Sequence, residues 1–68
     1  MNYTLIKLSD EGFEIQFKHE NDLYDELLNY ICDNCLIEYY DYYDYIPNTY
    51  DDLLSTSCGC EFRVEENI

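Results

Sequence analysis

Between Lys18 and Arg63 the chain carries no lysine or arginine, yet it carries Glu20, Asp22, Asp25, Glu26, Asp33, Glu38, Asp41, Asp44, Asp51, Asp52 and Glu61. Over the whole 68 residues, sixteen acidic side chains stand against three basic ones, a formal charge of −13. Self-repulsion at that density destabilises a compact state, and what it brings is solubility and attraction to basic surfaces. Nucleic acid and anionic membrane are therefore excluded as direct ligands. A chain of this length forms one domain, residues 1–68, and buries only about 60% of the surface its unfolded state exposes, so the core must be thin.

So acidic a chain invites comparison with disordered segments, whose signature is low hydrophobicity with high net charge. Here 47% of residues are hydrophobic, with nine Tyr, three Phe, two Gly and one Pro. That is enough apolar material for a packed fold. The sequence has no stretch of the ~18 apolar residues a membrane span needs, and residues 1–7 lack the basic flank and apolar core of a secretory signal. The expectation is a cytoplasmic protein.

Hydrophobic periodicity gives the elements. Tyr3, Leu5 and Lys7 alternate with Thr4, Ile6 and Leu8, and Phe13, Ile15 and Phe17 alternate with Glu14, Gln16 and Lys18. Between them lies Ser9-Asp10-Glu11-Gly12, where Gly12 is expected to supply a positive φ for a hairpin loop. Asn21 or Glu20 then opens a helix whose first turns hold Asp22, Asp25 and Glu26, favourable at the positive end of the helix dipole. Leu23, Leu27 and Ile31 recur every four residues, widened by Tyr24, Leu28 and Cys35.

Residues 36–46 fit a helix with Leu36, Tyr40 and Tyr43 inward. They fit a strand less well, because alternation would set Asp41 among Tyr39, Tyr43 and Tyr45. Pro47 is expected to end the element. Thr49 and Asp52 have the spacing of a capping box, predicting a short helix from Tyr50 to Ser55 that buries Leu53 and Leu54. Cys60, Phe62 and Val64 alternate with Glu61, Arg63 and Glu65 as a last strand. The expected fold is α+β: a three-stranded antiparallel sheet, made of the N-terminal hairpin and the C-terminal strand, with two or three helices packed on one face.

Four cysteines form Cys32-Asp33-Asn34-Cys35 and Cys58-Gly59-Cys60. Four thiolates can close a tetrahedral zinc site, and a metal would help so small a core. The second pair lacks ribbon spacing, and Cys35 also fits the helix's apolar stripe, where a buried thiol is an ordinary small hydrophobe. Free thiols and no cofactor are the expectation. Zinc on Cys32, Cys35, Cys58 and Cys60 is the alternative, and a reducing compartment disfavours disulfides. Catalysis has no support, because the single His19 has no Ser or Cys partner at recognisable spacing and no Gly-rich phosphate loop exists. The chain is not expected to be an enzyme.

Interleaved Tyr and Asp suit a partner surface rich in Arg and Lys, since an exposed Tyr offers apolar area, a hydroxyl and a face for guanidinium groups. The candidate partner-binding residues are Asp22, Asp25, Glu26, Asp33, Glu38, Tyr40, Asp41, Tyr43, Asp44, Asp51 and Asp52. Carboxylates four residues apart on a helix rise about 6 Å along its axis, comparable with the roughly 3.4 Å spacing of phosphates along a DNA strand. In size, charge and composition over residues 20–52 the chain resembles the phage-encoded inhibitors of bacterial defence, the anti-restriction and anti-CRISPR proteins that mimic DNA. That resemblance implies a basic nucleic-acid-binding target, such as a nuclease or CRISPR effector complex, and assigns no role to an individual residue. The alternative reading is a zinc-stabilised interaction adaptor whose charge serves solubility.

Overall fold

A computed structural model describes residues 2–8 and 11–67. The order is β1 (Asn2–Lys7), β2 (Glu14–Phe17), α1 (Glu20–Leu28), α2 (Asp33–Tyr43), α3 (Tyr50–Leu54), a 3₁₀ turn (Cys58–Glu61) and β3 (Phe62–Asn67). The strands form an antiparallel sheet in the order β2-β1-β3. Together with three helices this is the expected α+β fold. No helix among the described residues is long and apolar enough to cross a membrane.

Register explains which sheet face is dry. Leu5 lies opposite Ile15 on β2 and Val64 on β3, and Tyr3 lies opposite Phe17 and Glu66. These residues share one face. Against it pack Leu23 and Leu27 of α1 with Tyr50 and Leu53 of α3; all four leucines, Leu5 included, are fully buried. Glu66, exposed at the end of this same face, accepts a hydrogen bond from the Tyr50 hydroxyl, which gives the buried tyrosine the polar partner it needs. The other face carries Gln16, Glu14, Arg63 and Glu65 beside Thr4 and Ile6. Arg63 and Glu65 form an ion pair there at 3.0 Å with both side chains more than half exposed, a geometry that contributes little.

Several local expectations are corrected. Gly12 has no positive φ; a Cβ there would stand 2.6 Å from the Lys7 carbonyl oxygen, so its smallness lets β2 approach β1. Ser9 and Asp10 of the expected loop lie outside the described residues. The first helix stops at Leu28 rather than running toward Cys35. Asn29, Tyr30 and Ile31 donate to the carbonyls three residues back, at 3.1, 3.0 and 3.2 Å, and this tighter turn closes the helix. Ile31 is still buried, but in the turn, and Cys35 belongs to the next helix. The last strand begins at Phe62 rather than Cys60, because Cys58–Glu61 coil into the 3₁₀ turn.

Residues 33–43 are helical, and the strand alternative for them falls away. The inward residues are Cys35 and Tyr39, whereas Tyr40 and Tyr43, expected inward, are exposed. The helix ends before Pro47, at Asp44, whose φ of 63° and ψ of 21° form a left-handed cap donating its N–H to the Tyr40 carbonyl. Asp is among the few non-Gly residues that visit this region readily. Pro47 is instead fully buried, and its carbonyl accepts from the Tyr24 hydroxyl at 2.6 Å. The α3 cap is as expected, with the Thr49 hydroxyl accepting the Asp52 N–H at 3.2 Å. Asp52 does not complete a reciprocal box; its carboxylate reaches the N–H of Asn48 at 3.5 Å.

Candidate thiol centre and acidic tyrosine face

Three of the four cysteines converge. Cys32 is the extended residue that caps α2, and Cys35 sits one turn into that helix, which stacks the two side chains on one side. Cys58 arrives from 23 residues beyond Cys35 in the chain, at the start of the 3₁₀ turn. The sulfurs of Cys32 and Cys35 are 3.2 Å apart, those of Cys35 and Cys58 3.2 Å, and those of Cys32 and Cys58 3.5 Å. All are free thiols, since a disulfide bond would need about 2.05 Å. These three could hold a metal ion. Cys60, the fourth ligand of the zinc alternative, turns away: its thiol donates to the Ser57 carbonyl at 2.9 Å.

Close approach across the second half of the chain brings Cys58 there. Gly59 lies so near the end of α3 that a Cβ would stand 2.2 Å from the Leu53 carbonyl oxygen. Its N–H donates to the Thr56 hydroxyl at 3.1 Å, and that hydroxyl donates to the Leu53 carbonyl at 2.6 Å. Only glycine fits. The thiols also perturb one another. Hydrogen bonds from the Cys35 thiol, from the Cys35 N–H and from Cys58 hold Cys32 below the ordinary thiol value. Sharing protons with Cys32 and Cys58, together with burial, pushes Cys35 up to about 11. Cys32 is thus the exposed, more readily ionised member, and Cys35 the buried one.

The outer side of α2 is the second feature. Tyr42 is 80% exposed, Ile37 57%, Tyr40 51%, and Ile46 just beyond the helix 67%. Leu36, Ile37, Tyr40 and Ile46 line a wholly apolar hollow of about 310 Å³. Glu38, Asp41 and Asp44, all exposed, stand among these residues. Tyr39, Tyr42, Tyr43 and Tyr45 stack at the C-terminal end, with ring centroids of Tyr39 and Tyr43 4.4 Å apart and Tyr39 edge-on to Tyr45 at 5.4 Å. The buried Tyr39 hydroxyl donates to Tyr45 at 2.7 Å, and Tyr45 reaches Asp52 at 3.5 Å. A groove of about 290 Å³ runs between α2 and residues 55–57, lined by Cys35, Glu38, Tyr39, Tyr42, Tyr43, Ser55, Thr56 and Ser57.

The other candidate carboxylates divide among the helices. Asp22 and Asp25 are exposed on α1, Asp33 opens α2, and Asp51 is exposed on α3. Glu26 and Asp52 are half-buried and engaged within the chain, Glu26 by the Tyr30 hydroxyl at 3.1 Å and Asp52 by Tyr45 and Asn48. Ile37 and Ile46 escaped sequence reasoning, since an exposed isoleucine reads as core until the helix face is known. No protein-family model matches this chain, and no curated protein or solved structure matches it.

Proposed function

We propose that this chain is an acidic inhibitor that docks on a basic, nucleic-acid-binding surface of another protein through α2 and the residues after it. What supports the reading is one juxtaposition: exposed Ile37, Tyr40, Tyr42, Tyr43 and Ile46 interleave with the carboxylates of Glu38, Asp41 and Asp44. Contiguous exposed apolar area on a small domain marks an interaction site. Tyr at such a site is apolar on its face and hydrogen-bonding at its tip, and it stacks well on Arg. The surrounding negative field would steer a cationic partner and set the orientation of encounter. Asp22, Asp25 and Asp51 extend that field over the other helices, and Asp33 extends it to the start of α2. The chemistry asked of the chain is occlusion, with no bond made or broken, and the partner would be a nuclease or another nucleic-acid-binding complex.

The test is competition. Partners captured from lysate with nuclease present are titrated with this chain and with DNA or RNA. Mutually exclusive binding is expected, and a stable ternary complex with undiminished affinities would overturn mimicry. Glu38→Lys with Asp41→Lys should weaken capture far more than Glu14→Lys on β2 with Glu11→Lys in the loop before it. Equal losses would mean that net charge alone is felt.

The three converging sulfurs favour a second reading, a zinc-stabilised adaptor in which the same tyrosine face binds a protein and the charge keeps copies apart. Zinc analysis of the purified chain, together with the competition result, separates the two.

A further inference from the structure

Metal-site chemistry demands more than cysteines near in sequence: it demands donor atoms converging on one point. Cys32 and Cys35 from the start of α2 and Cys58 from the 3₁₀ turn satisfy this, with sulfur separations of 3.2, 3.2 and 3.5 Å. An ion bound by thiolates at about 2.3 Å requires sulfur–sulfur edges near 3.8 Å when tetrahedral and about 4.0 Å when trigonal planar. The triangle is already smaller than either, so an ion equidistant at about 2.3 Å must stand to one side of its plane. One ligand position, away from the triangle, is then left over.

We propose that Cys32, Cys35 and Cys58 form a three-thiolate site for a zinc-class divalent ion whose fourth position is open to an exogenous donor. The inference rests on the second reading above only in placing a metal here, and it goes beyond that reading by removing Cys60 from the ligand set. Cys60 is exposed and occupied with the carbonyl of Ser57 in its own turn. Cys32 is also exposed, so the centre lies at the surface rather than sealed in the core. A redox dithiol would need only the Cys32–Cys35 pair. The third sulfur, delivered from 23 residues beyond Cys35, is what a metal needs and a dithiol does not.

Closing such a site links α2 to the 3₁₀ turn. Otherwise the inward residues of α2 are chiefly Cys35 and Tyr39. The ion would therefore hold in place the helix that carries the exposed tyrosine face, and metal and docking surface become coupled through one element.

The test uses the full reduced chain, titrated with Co²⁺ and back-titrated with Zn²⁺, in wild type and in Cys32→Ser and Cys60→Ser. Both replaced residues are exposed, so neither variant opens the core, and circular dichroism checks that each folds. Expected are one ion per chain, thiolate-to-cobalt absorption unchanged in Cys60→Ser with affinity within about threefold, and affinity lowered at least tenfold in Cys32→Ser, as loss of a ligand demands. Added imidazole or a small thiol should shift the cobalt spectrum of the wild type, because it enters the open position. Equal losses in Cys60→Ser and Cys32→Ser would overturn the open position while leaving a four-cysteine metal site intact. A folded wild type that binds no metal, or that only closes a Cys32–Cys35 disulfide on mild oxidation, would overturn both the inference and the metal reading.

Discussion

Cys35 and Cys58 stand 23 residues apart in the chain and hold their sulfurs 3.2 Å apart. The contact joins the first turn of α2 to the end of the path that follows α3, and Gly59 governs it. Gly59→Ala would press a methyl group to 2.2 Å from the Leu53 carbonyl oxygen, which is backbone and cannot swing aside. The expected cost is about 1–3 kcal/mol, the range for overpacking, read from urea midpoints at constant m-value. The same variant should displace Cys58, so its cobalt affinity should fall further than that of Cys60→Ser.

Asp44 closes α2 in the left-handed region, with φ of 63°. Glycine adopts that conformation without a Cβ penalty, and it also removes a negative charge from the negative end of the helix dipole. The dipole gain of about 0.3–1 kcal/mol and release of the left-handed cost outweigh glycine's extra freedom in the unfolded chain, so Asp44→Gly should stabilise the chain, and Asp44→Val should destabilise it. Thermal melts at one protein concentration and pH decide the order of the three.

Alkaline pH should unfold the protein earlier than an ordinary tyrosine content implies. Burial, and then hydrogen bonds involving Tyr45 and Asp52, raise Tyr39 well above its usual value of 10.0. A hydrogen bond to Glu66, and then burial, does the same for Tyr50. Above pH 10 the unfolded chain loses these protons while the native chain keeps them, so the unfolded state binds fewer and stability falls as pH rises. Below pH 10 the contribution is fully present. In Tyr39→Phe with Tyr50→Phe the decline of the urea midpoint between pH 9 and pH 11 should be shallower than in wild type.

Removing core volume should be close to intolerable. Leu53 and Leu23 are fully buried where helices meet sheet. Truncating either to Ala costs about 2–5 kcal/mol, against a total stability of about 5–15 kcal/mol for a domain and the low end for one so small. Leu53→Ala should lower the melting temperature enough to leave a measurable unfolded fraction at 37 °C, whereas Leu8→Ala, at an exposed strand end, should not.

Chelation offers a check on the coupling between metal and helix. Removing bound zinc should speed amide hydrogen exchange in residues 36–40, while Leu5 and Leu23, held by sheet and core, should change little. A uniform increase across the chain would mean that metal supports the whole fold rather than α2.

Local pattern was enough to read the strands, α1, the capped α3 and the α+β class. Period-two and period-four patterns such as Phe13-Ile15-Phe17 and Leu23-Leu27 have one physical solution each, a face turned to a core, although the period did not show that α1 ends before Ile31. The acidic character of the surface was equally legible because, of eleven carboxylates with no intervening cation, most must stay in water, and only Glu26 and Asp52 are half-buried. The inward face of α2 was not. Five tyrosines among residues 39–45 are amphipathic, and their pattern does not say which ring the body of the protein will cover. Tertiary packing chose Tyr39 and left Tyr40, Tyr42, Tyr43 and Tyr45 outside, where they form the exposed aromatic face proposed above for docking. The cysteines show the same division. Spacing raised four equivalent ligands, whereas the fold joins Cys32, Cys35 and Cys58 and turns Cys60 toward Ser57. Distance in space between residues 23 and 26 apart depends on how a turn packs against α3, and sequence spacing contains no term for that.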